Sequence, residues 1–427
     1  MLLRKTDRFW KNGSTEISRS KRGLYIFLTF MLLGITGCSN KPETVLDTLV
    51  DESEAQSLEE NVQIEEEDIA DIADILCDIY GEALATNTGG LEVIRSIVER
   101  LGKNGYVAVD SENQIDMTES NKVIQFCEKV DTAGEAELTI IVVSYSGGFT
   151  KYDFKTESRI VDIVRKYYQY IDGRVEHRST GTFRADSWQY TEEGYLLFEG
   201  HWFSEQYALL VASDVPEYVG LRVKPLDEKC RELNRQYIRP IGYGKNNMFI
   251  VDWSEDDFGE LDFYDLFDIF YPLIHGQYVP YTADDSLTVG AVYRIPKEEF
   301  ETVIMTYFNI DSETLQSKTT YYSEDATYEY KPRGFYEVEY PGAVPFPEVV
   351  DYMENSDGTV KLTVNVVLPY VNTSKVYAHE VVIRPLDNGG VQYVSNHIIP
   401  SEDNYDVTWN TPRLTEEEWE KMYGDIE

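Results

Sequence analysis

The chain has 427 residues and carries 77 Asp and Glu against 38 Lys and Arg, a formal net charge of −39. That balance excludes a nucleic-acid partner, because phosphate binding needs a basic surface. The length suits two or three domains with a sizeable core.

The first 37 positions run against the rest. They hold seven bases (Arg4, Lys5, Arg8, Lys11, Arg19, Lys21, Arg22) and two acids (Asp7, Glu16), so the remainder carries about −44. From Gly23 to Gly37 the chain reads "GLYIFLTFMLLGITG", with no charged residue. That is short for a membrane span, which needs about 20 apolar residues. A basic start, a short apolar core and small residues before a cut predict a secretory signal. Ile35, Thr36, Gly37 and Cys38 resemble the bacterial lipobox. The resemblance implies that the Cys38 thiol is the lipid-attachment site, and that residues 1–37 are removed. Two acyl chains, at about 0.8 kcal/mol per buried CH₂, would hold the protein to the membrane almost permanently.

Residues 38–67 contain "DESEAQSLEENVQIEEED" and little that could pack. They read as a disordered acidic tether with a reach of roughly 30 Å. A helix follows with Ile69, Ile72, Leu76, Ile79, Ala83 and Leu84 on one face. After a break at Thr88-Gly89-Gly90, a second presents Leu91, Ile94, Val98 and Leu101. A third begins near Thr118 and buries Val123, Phe126, Cys127 and Val130.

The period then changes to two. "ELTIIVVSYS" opens a meander with turns at Gly147-Gly148, Asp172-Gly173 and Glu193-Gly194. Its strands carry an aromatic stripe that includes Tyr168, Phe183, Trp188, Tyr195, Phe198, Trp202 and Phe203. The stripe reads as core, or else as a sugar-binding platform. Leu226, Cys230, Leu233 and Tyr237 mark a helix stopped by Pro240. Another spans 262–276 with Phe263, Leu266, Phe267 and Phe270 inward, and Pro272 should kink or end it. It is expected to bridge two lobes.

Toward the C-terminus Pro296 opens a helix with Phe300, Val303, Ile304, Tyr307 and Phe308 on one face. In "GTVKLTVNVVL", Val360, Leu362, Val364, Val366 and Leu368 point one way and Lys361, Thr363 and Asn365 the other. Asp357-Gly358 and Asp387-Asn388-Gly389-Gly390 are hairpin turns. Thr415 and Glu418 predict a capping box for a short helix carrying Trp419. "LRVKPLD" (221–227) echoes "VVIRPLD" (381–387), which suggests a duplicated unit.

The fold class read from this order is α+β and β-rich overall. N-terminal helices are followed by two helix-plus-antiparallel-sheet units, resembling in element order the cystatin-like or NTF2-like architecture. The divisions are 1–37 signal peptide, 38–67 tether, 68–228 helices plus meander, 229–295 bridging helical segment and 296–427 helix plus sheet.

Catalytic and metal motifs are absent: there is no HExxH, Walker loop, GxSxG or CxxC. His379 and His397 could face each other across the 387–390 turn, with Glu380 adjacent. "DWSEDDFGELDF" (252–263) resembles a calcium loop, but it has Asp257 where glycine is needed and Phe263 where a bidentate Glu is needed. Cys127 and Cys230 are the one pair worth testing as a disulfide; otherwise Cys77, Cys127 and Cys230 read as buried thiols. No catalytic, cofactor or metal residue is assigned, and no cofactor is expected.

Finally, "PLDEKCRELNRQYI", "IMTYFNIDSETL", "YEYKPRGFYE" and "IPSEDNYDVTW" resemble an uncharacterised family of clostridial cell-surface lipoproteins. The resemblance implies a lipid anchor (palmitate on Cys38) and a place on the extracytoplasmic face of a Gram-positive membrane. It transfers no catalytic residue. The expectation is a non-catalytic binding or structural module for a carbohydrate, cell-wall or protein ligand. The alternative is a surface hydrolase acting on carbohydrate or peptide.

Overall fold

The structure, a computed structural model, describes residues 69–83, 90–201, 217–283, 289–337 and 344–424. The expected signal peptide, the lipobox residues Ile35 to Gly37, Cys38 and the tether lie outside the described residues, as do Trp202 and Phe203. Residues Ile69–Glu427 form one unit, mixed α+β and rich in antiparallel sheet.

In the N-terminal lobe, helix α1 (69–83) buries Ile69, Ile72, Leu76 and Ile79 on one stripe. Gly90, at φ 68°, makes the break before α2 (Leu91–Lys103), which buries Ile94, Ile97, Val98 and Leu101. A short strand β1 (Val107–Asp110) precedes α3 (Ser120–Asp131), whose buried face is Val123, Phe126, Cys127 and Val130 as the spacing predicts. The meander is β2 (Ala136–Val143), β3 (Phe149–Glu157), β4 (Ile160–Ile171) and β5 (Arg174–Arg184). The five-stranded sheet has the order β1-β2-β3-β4-β5. β1 runs parallel to β2, with α3 as the crossover, and β2 to β5 are antiparallel.

This sheet is covered on both faces. Ile141, Val143 and Phe149 pack under α1 and α2. Their neighbours Ile140, Val142, Tyr152 and Phe154 point the other way. There they meet α3 and a second sheet, β6 (Ser187–Tyr190), β7 (Tyr195–Gly200) and β8 (Glu217–Arg222), in the order β6-β7-β8.

The C-terminal lobe begins with α4 (Glu228–Leu233), capped by the Asp227 carboxylate on the Lys229 N–H and continuing as a π-helical turn, Asn234–Ile238. Strand β9 (Trp253–Ser254) and helix α5 (Phe263–His275) follow. Pro272 sits in the last turn of α5, which runs on to His275 and is closed by Gly276 at φ 65°. Next come β10 (Tyr293–Pro296), α6 (Lys297–Tyr307), α7 (Ser312–Ser317), β11 (Tyr321–Tyr322) and β12 (Thr327–Tyr330), the strands pairing as β10-β12-β11. The large sheet is β13 (Phe346–Glu354), β14 (Val360–Val367), β15 (Ala378–Pro385) and β16 (Val391–Ile398), closed by β9 at its far edge. Helix α8 (Glu416–Tyr423) starts on the expected Thr415/Glu418 capping box.

Phe263, Phe267 and Phe270 of α5 lie in this lobe's own core, with Phe300, Phe308, Val364 and Ile383. The lobes meet through β7 instead. Leu196 and Phe198 face the N-terminal core, while Tyr195 and Leu197 face Val367 and Phe346. This contact explains why the alternation of β14 fades. Asn365 and Val367, on the face expected to be polar, are buried where the N-terminal lobe covers the end of the sheet. The echoed segments occupy different settings, the edge strand β8 and the interior strand β15.

Candidate functional site

The sequence candidates disperse. Across β15 and β16 the partner of His397 is Glu380, and that of His379 is Ile398, so the two histidines point to opposite faces. His397 sits 3.3 Å from Asp252 at the surface. His379 is fully buried between Tyr243, whose hydroxyl donates to Nε2 (2.6 Å), and Asn396, whose Oδ1 accepts from Nδ1 (2.6 Å). Burial pushes its pKa down to about 4. In the acidic loop, Glu255 is held by both terminal nitrogens of Arg384 (2.7 and 2.9 Å) and Asp257 accepts from the Gly259 N–H. Among the described residues no group of three or more His, Cys, Asp or Glu side chains could hold a metal ion. Cys127 and Cys230 are free buried thiols, not a disulfide. Burial pushes both thiols up, Cys127 to about 12 and Cys230 to about 11. The aromatic stripe is mostly core: Phe154, Trp188 and Phe198 pack at centroid distances of 5.4 to 5.9 Å.

A cavity of about 550 Å³ lies at the junction of the lobes. Its walls come from segments far apart in the chain: Ser111–Gln114 after β1, β8, the α4 to π-helix segment, the start of β13, and the turn Leu368–Tyr370. Asp110 shapes the first of these. Its buried carboxylate accepts from the backbone N–H groups of Glu112, Gln114 and Ile115 (2.8 to 3.1 Å), folding the loop back over the cleft.

Every charged side chain among the described lining residues has an opposite partner. Glu112 pairs with Arg239 (2.6 Å), Arg231 with Asp116 (2.6 Å) and Glu217 with Arg165 (3.0 Å). Glu348 pairs with Arg222 and also accepts from the Tyr195 hydroxyl (2.7 Å). Burial raises the Glu348 carboxyl above the usual range, while Arg222 opposes the rise. Burial and the nearby Glu217 push the Tyr152 phenol well up. Tyr152 donates to Glu217 at 3.0 Å. Tyr370 and Tyr218 stand near each other in the wall, ring centroids 4.9 Å apart.

Both strands that border the cleft are sheet edges, and each is covered by an asparagine. Asn113, in the left-handed region at φ 55°, donates to the Gly220 carbonyl (2.9 Å) and accepts from the Arg222 N–H (2.8 Å). Asn234 donates to the Pro347 carbonyl (2.9 Å). The two amides thus blunt β8 and β13 against a further strand.

A sequence profile matches residues 62–413, which takes in both lobes and every wall of the cleft. The chain belongs to DUF6070, a family of unknown function. No curated protein and no solved structure matches it. The DUF6070 match includes Glu217, Glu348 and both capping asparagines, and ends just before α8.

The cleft of this DUF6070 protein is lined by glutamates, arginines and tyrosines. No histidine, cysteine or lysine is among its described lining residues. Both oxygens of Glu348 are engaged, one by Arg222 and one by Tyr195, so neither is placed to protonate a leaving group. What the arrangement offers is a fixed polar wall with aromatic faces. Sequence reasoning missed the cleft. Of its lining, Tyr195, Leu226 and Leu368 were named beforehand, each as core or element residues and none as part of a site.

Proposed function

We propose that this DUF6070 protein is a lipid-anchored, extracytoplasmic, non-catalytic binding protein whose ligand seats in the interlobe cleft. The observation that carries the reading is the pairing of every charged side chain among the described lining residues with an opposite charge. A catalytic cleft needs a carboxyl poised near neutrality and free to move a proton. Here the carboxylates hold arginines, which leaves the wall to recognise shape and hydrogen-bonding pattern. Attachment through Cys38 rests on the lipobox resemblance of Ile35 to Gly37, and a clostridial-type surface location rests on the phrase-level likeness given above.

A second reading, a surface hydrolase, draws on the raised carboxyl of Glu348, which shares the cleft with Glu217. One experiment separates the two. The purified full chain is incubated with peptidoglycan and wall-glycan fragments, and the mixture is followed by mass spectrometry. Unchanged fragments that co-elute with the protein support binding. New reducing ends or new amines that vanish in Glu348→Gln overturn the non-catalytic reading. The anchor is tested by growth with labelled palmitate: label on the native chain and none on Cys38→Ala is expected, and equal labelling of both refutes it.

A further inference from the structure

We infer that the interlobe cleft takes an uncharged, polyhydroxylated ligand, a neutral oligosaccharide. This deepens the binding-protein reading and rests on it. Three properties of the cleft select the class.

The first is charge. A charged ligand needs an unpaired counter-charge to meet it, and none of the five charged lining residues offers one. Long-range steering works against anions too, because the whole chain carries −39. A cationic ligand would be drawn to the surface, yet inside the cleft it would have to displace an arginine from each carboxylate.

The second is the pattern of hydrogen bonding. Ser111, Thr150, Tyr218 and Tyr370, none of them buried, place hydroxyl groups in the wall. A hydroxyl both donates and accepts, so a ligand dense in hydroxyls can meet them in either role. A peptide also carries donors and acceptors, but it binds a cleft between sheets by adding to an exposed strand edge. Asn113 already holds the carbonyl of Gly220 and the N–H of Arg222, and Asn234 holds the carbonyl of Pro347.

The third is shape. The volume of about 550 Å³ is that of a small-molecule site. The accessible rings in the wall are Tyr370, 49% exposed, and Tyr218 beside it. Aromatic faces beside fixed polar groups match the two sides of a pyranose ring, one lined with C–H groups and the other edged with hydroxyls.

The test is calorimetric titration of the full chain, held in a detergent without a sugar headgroup. The probes are chitotriose, cellotriose and maltotriose, against trigalacturonate, trilysine and trialanine. At least one neutral trisaccharide should bind, with an affinity insensitive to salt between about 0.05 and 0.5 M. Tyr370→Ala, at a half-exposed position that leaves the fold intact, should weaken it about tenfold. A neutral sugar whose binding ignores Tyr370→Ala sits elsewhere and overturns the assignment. Tighter binding of trigalacturonate, trilysine or trialanine, lost in Tyr370→Ala, overturns the ligand class and keeps the cleft as a binding site. Silence from all six overturns both.

Discussion

Arg222 at the end of β8 and Glu348 near the start of β13 form an ion pair across the lobe junction, each with only 6% of its side chain exposed. A buried pair is weak evidence for net stability, but breaking one side of it is costly. Arg222→Met would leave Glu348 charged and unpaired, held only by the Tyr195 hydroxyl. The expected cost is about 3–5 kcal/mol. The double variant Arg222→Met/Glu348→Leu should recover a good part of that loss. Denaturant unfolding of the two single variants and the double closes the cycle; additive costs would mean that the two groups act independently.

The buried His379 and the half-buried Asp268 set opposite pH dependences. The unfolded chain protonates a histidine near pH 6.5, whereas His379 resists until about 4. Its stability contribution is therefore complete above pH 6.5 and lost as the pH falls through about 4, on the order of 3 kcal/mol. Asp268 has its carboxyl raised by burial to about 6, against 3.8 in the unfolded chain. Its contribution is complete below pH 3.8 and lost as the pH rises through about 6. Between these limits the two partly cancel. Asp268→Asn should steepen the acid decline of stability, and His379→Gln should flatten it. Urea unfolding at intervals between about pH 4 and 7 measures both slopes.

Asn113→Gly keeps access to the left-handed backbone but removes both hydrogen bonds that cover β8. It should cost about 1–3 kcal/mol for the uncovered strand groups. Asn113→Ala should cost roughly 1 kcal/mol more, because alanine resists φ 55°. Both variants should aggregate faster than the parent by light scattering, through the exposed edge. A parent-like melting temperature and scattering trace would show that the edge needs no cover.

On β14, Val364 is fully buried, while Lys361 is partly exposed and pairs with Glu380 at 2.6 Å. Val364→Asp should cost several kcal/mol, enough to unfold the C-terminal core. Lys361→Asp should cost about 1 kcal/mol. Equal melting temperatures would contradict the strand's facing.

Helix α8 seats on two glycines. A Cβ on Gly290 would lie 2.3 Å from the Trp419 ring, and one on Gly334 would lie 2.4 Å from the Tyr423 hydroxyl. Gly290→Val should therefore lift α8 from its groove at a cost of about 1–3 kcal/mol. Limited trypsin digestion with mass detection should then release a C-terminal fragment early; identical digestion of parent and variant would count against the contact.

Elements that carry their own local signal were legible from the residues alone. α3 shows a clean 3.6-residue stripe, α8 begins with a capping box, and β14 alternates where only one of its faces is covered. β1 was not legible, because "VAVD" is buried on both faces and so shows no alternation over only four residues. The parallel β1–β2 pairing was hidden with it. α5 was legible as a helix, but its aromatic face gave no indication of which core would receive it. The cleft was the least legible feature of all. Asn113 and Asn234 look like ordinary loop and helix polar residues until the fold brings them to Gly220 and Pro347, more than 100 positions away.

The pairing of Tyr195 and Arg222 with Glu348 also orders events in time. Most strands on either side pair with neighbours near in sequence, although Ser254 of β9 pairs with Ser395 of β16. The junction instead joins positions separated by 126 and 153 residues. Closing so long a loop is entropically disfavoured until each end is already fixed on a formed lobe. By this argument the contacts of Glu348 belong, with the β9–β16 pairing, to those that form after the local hairpins.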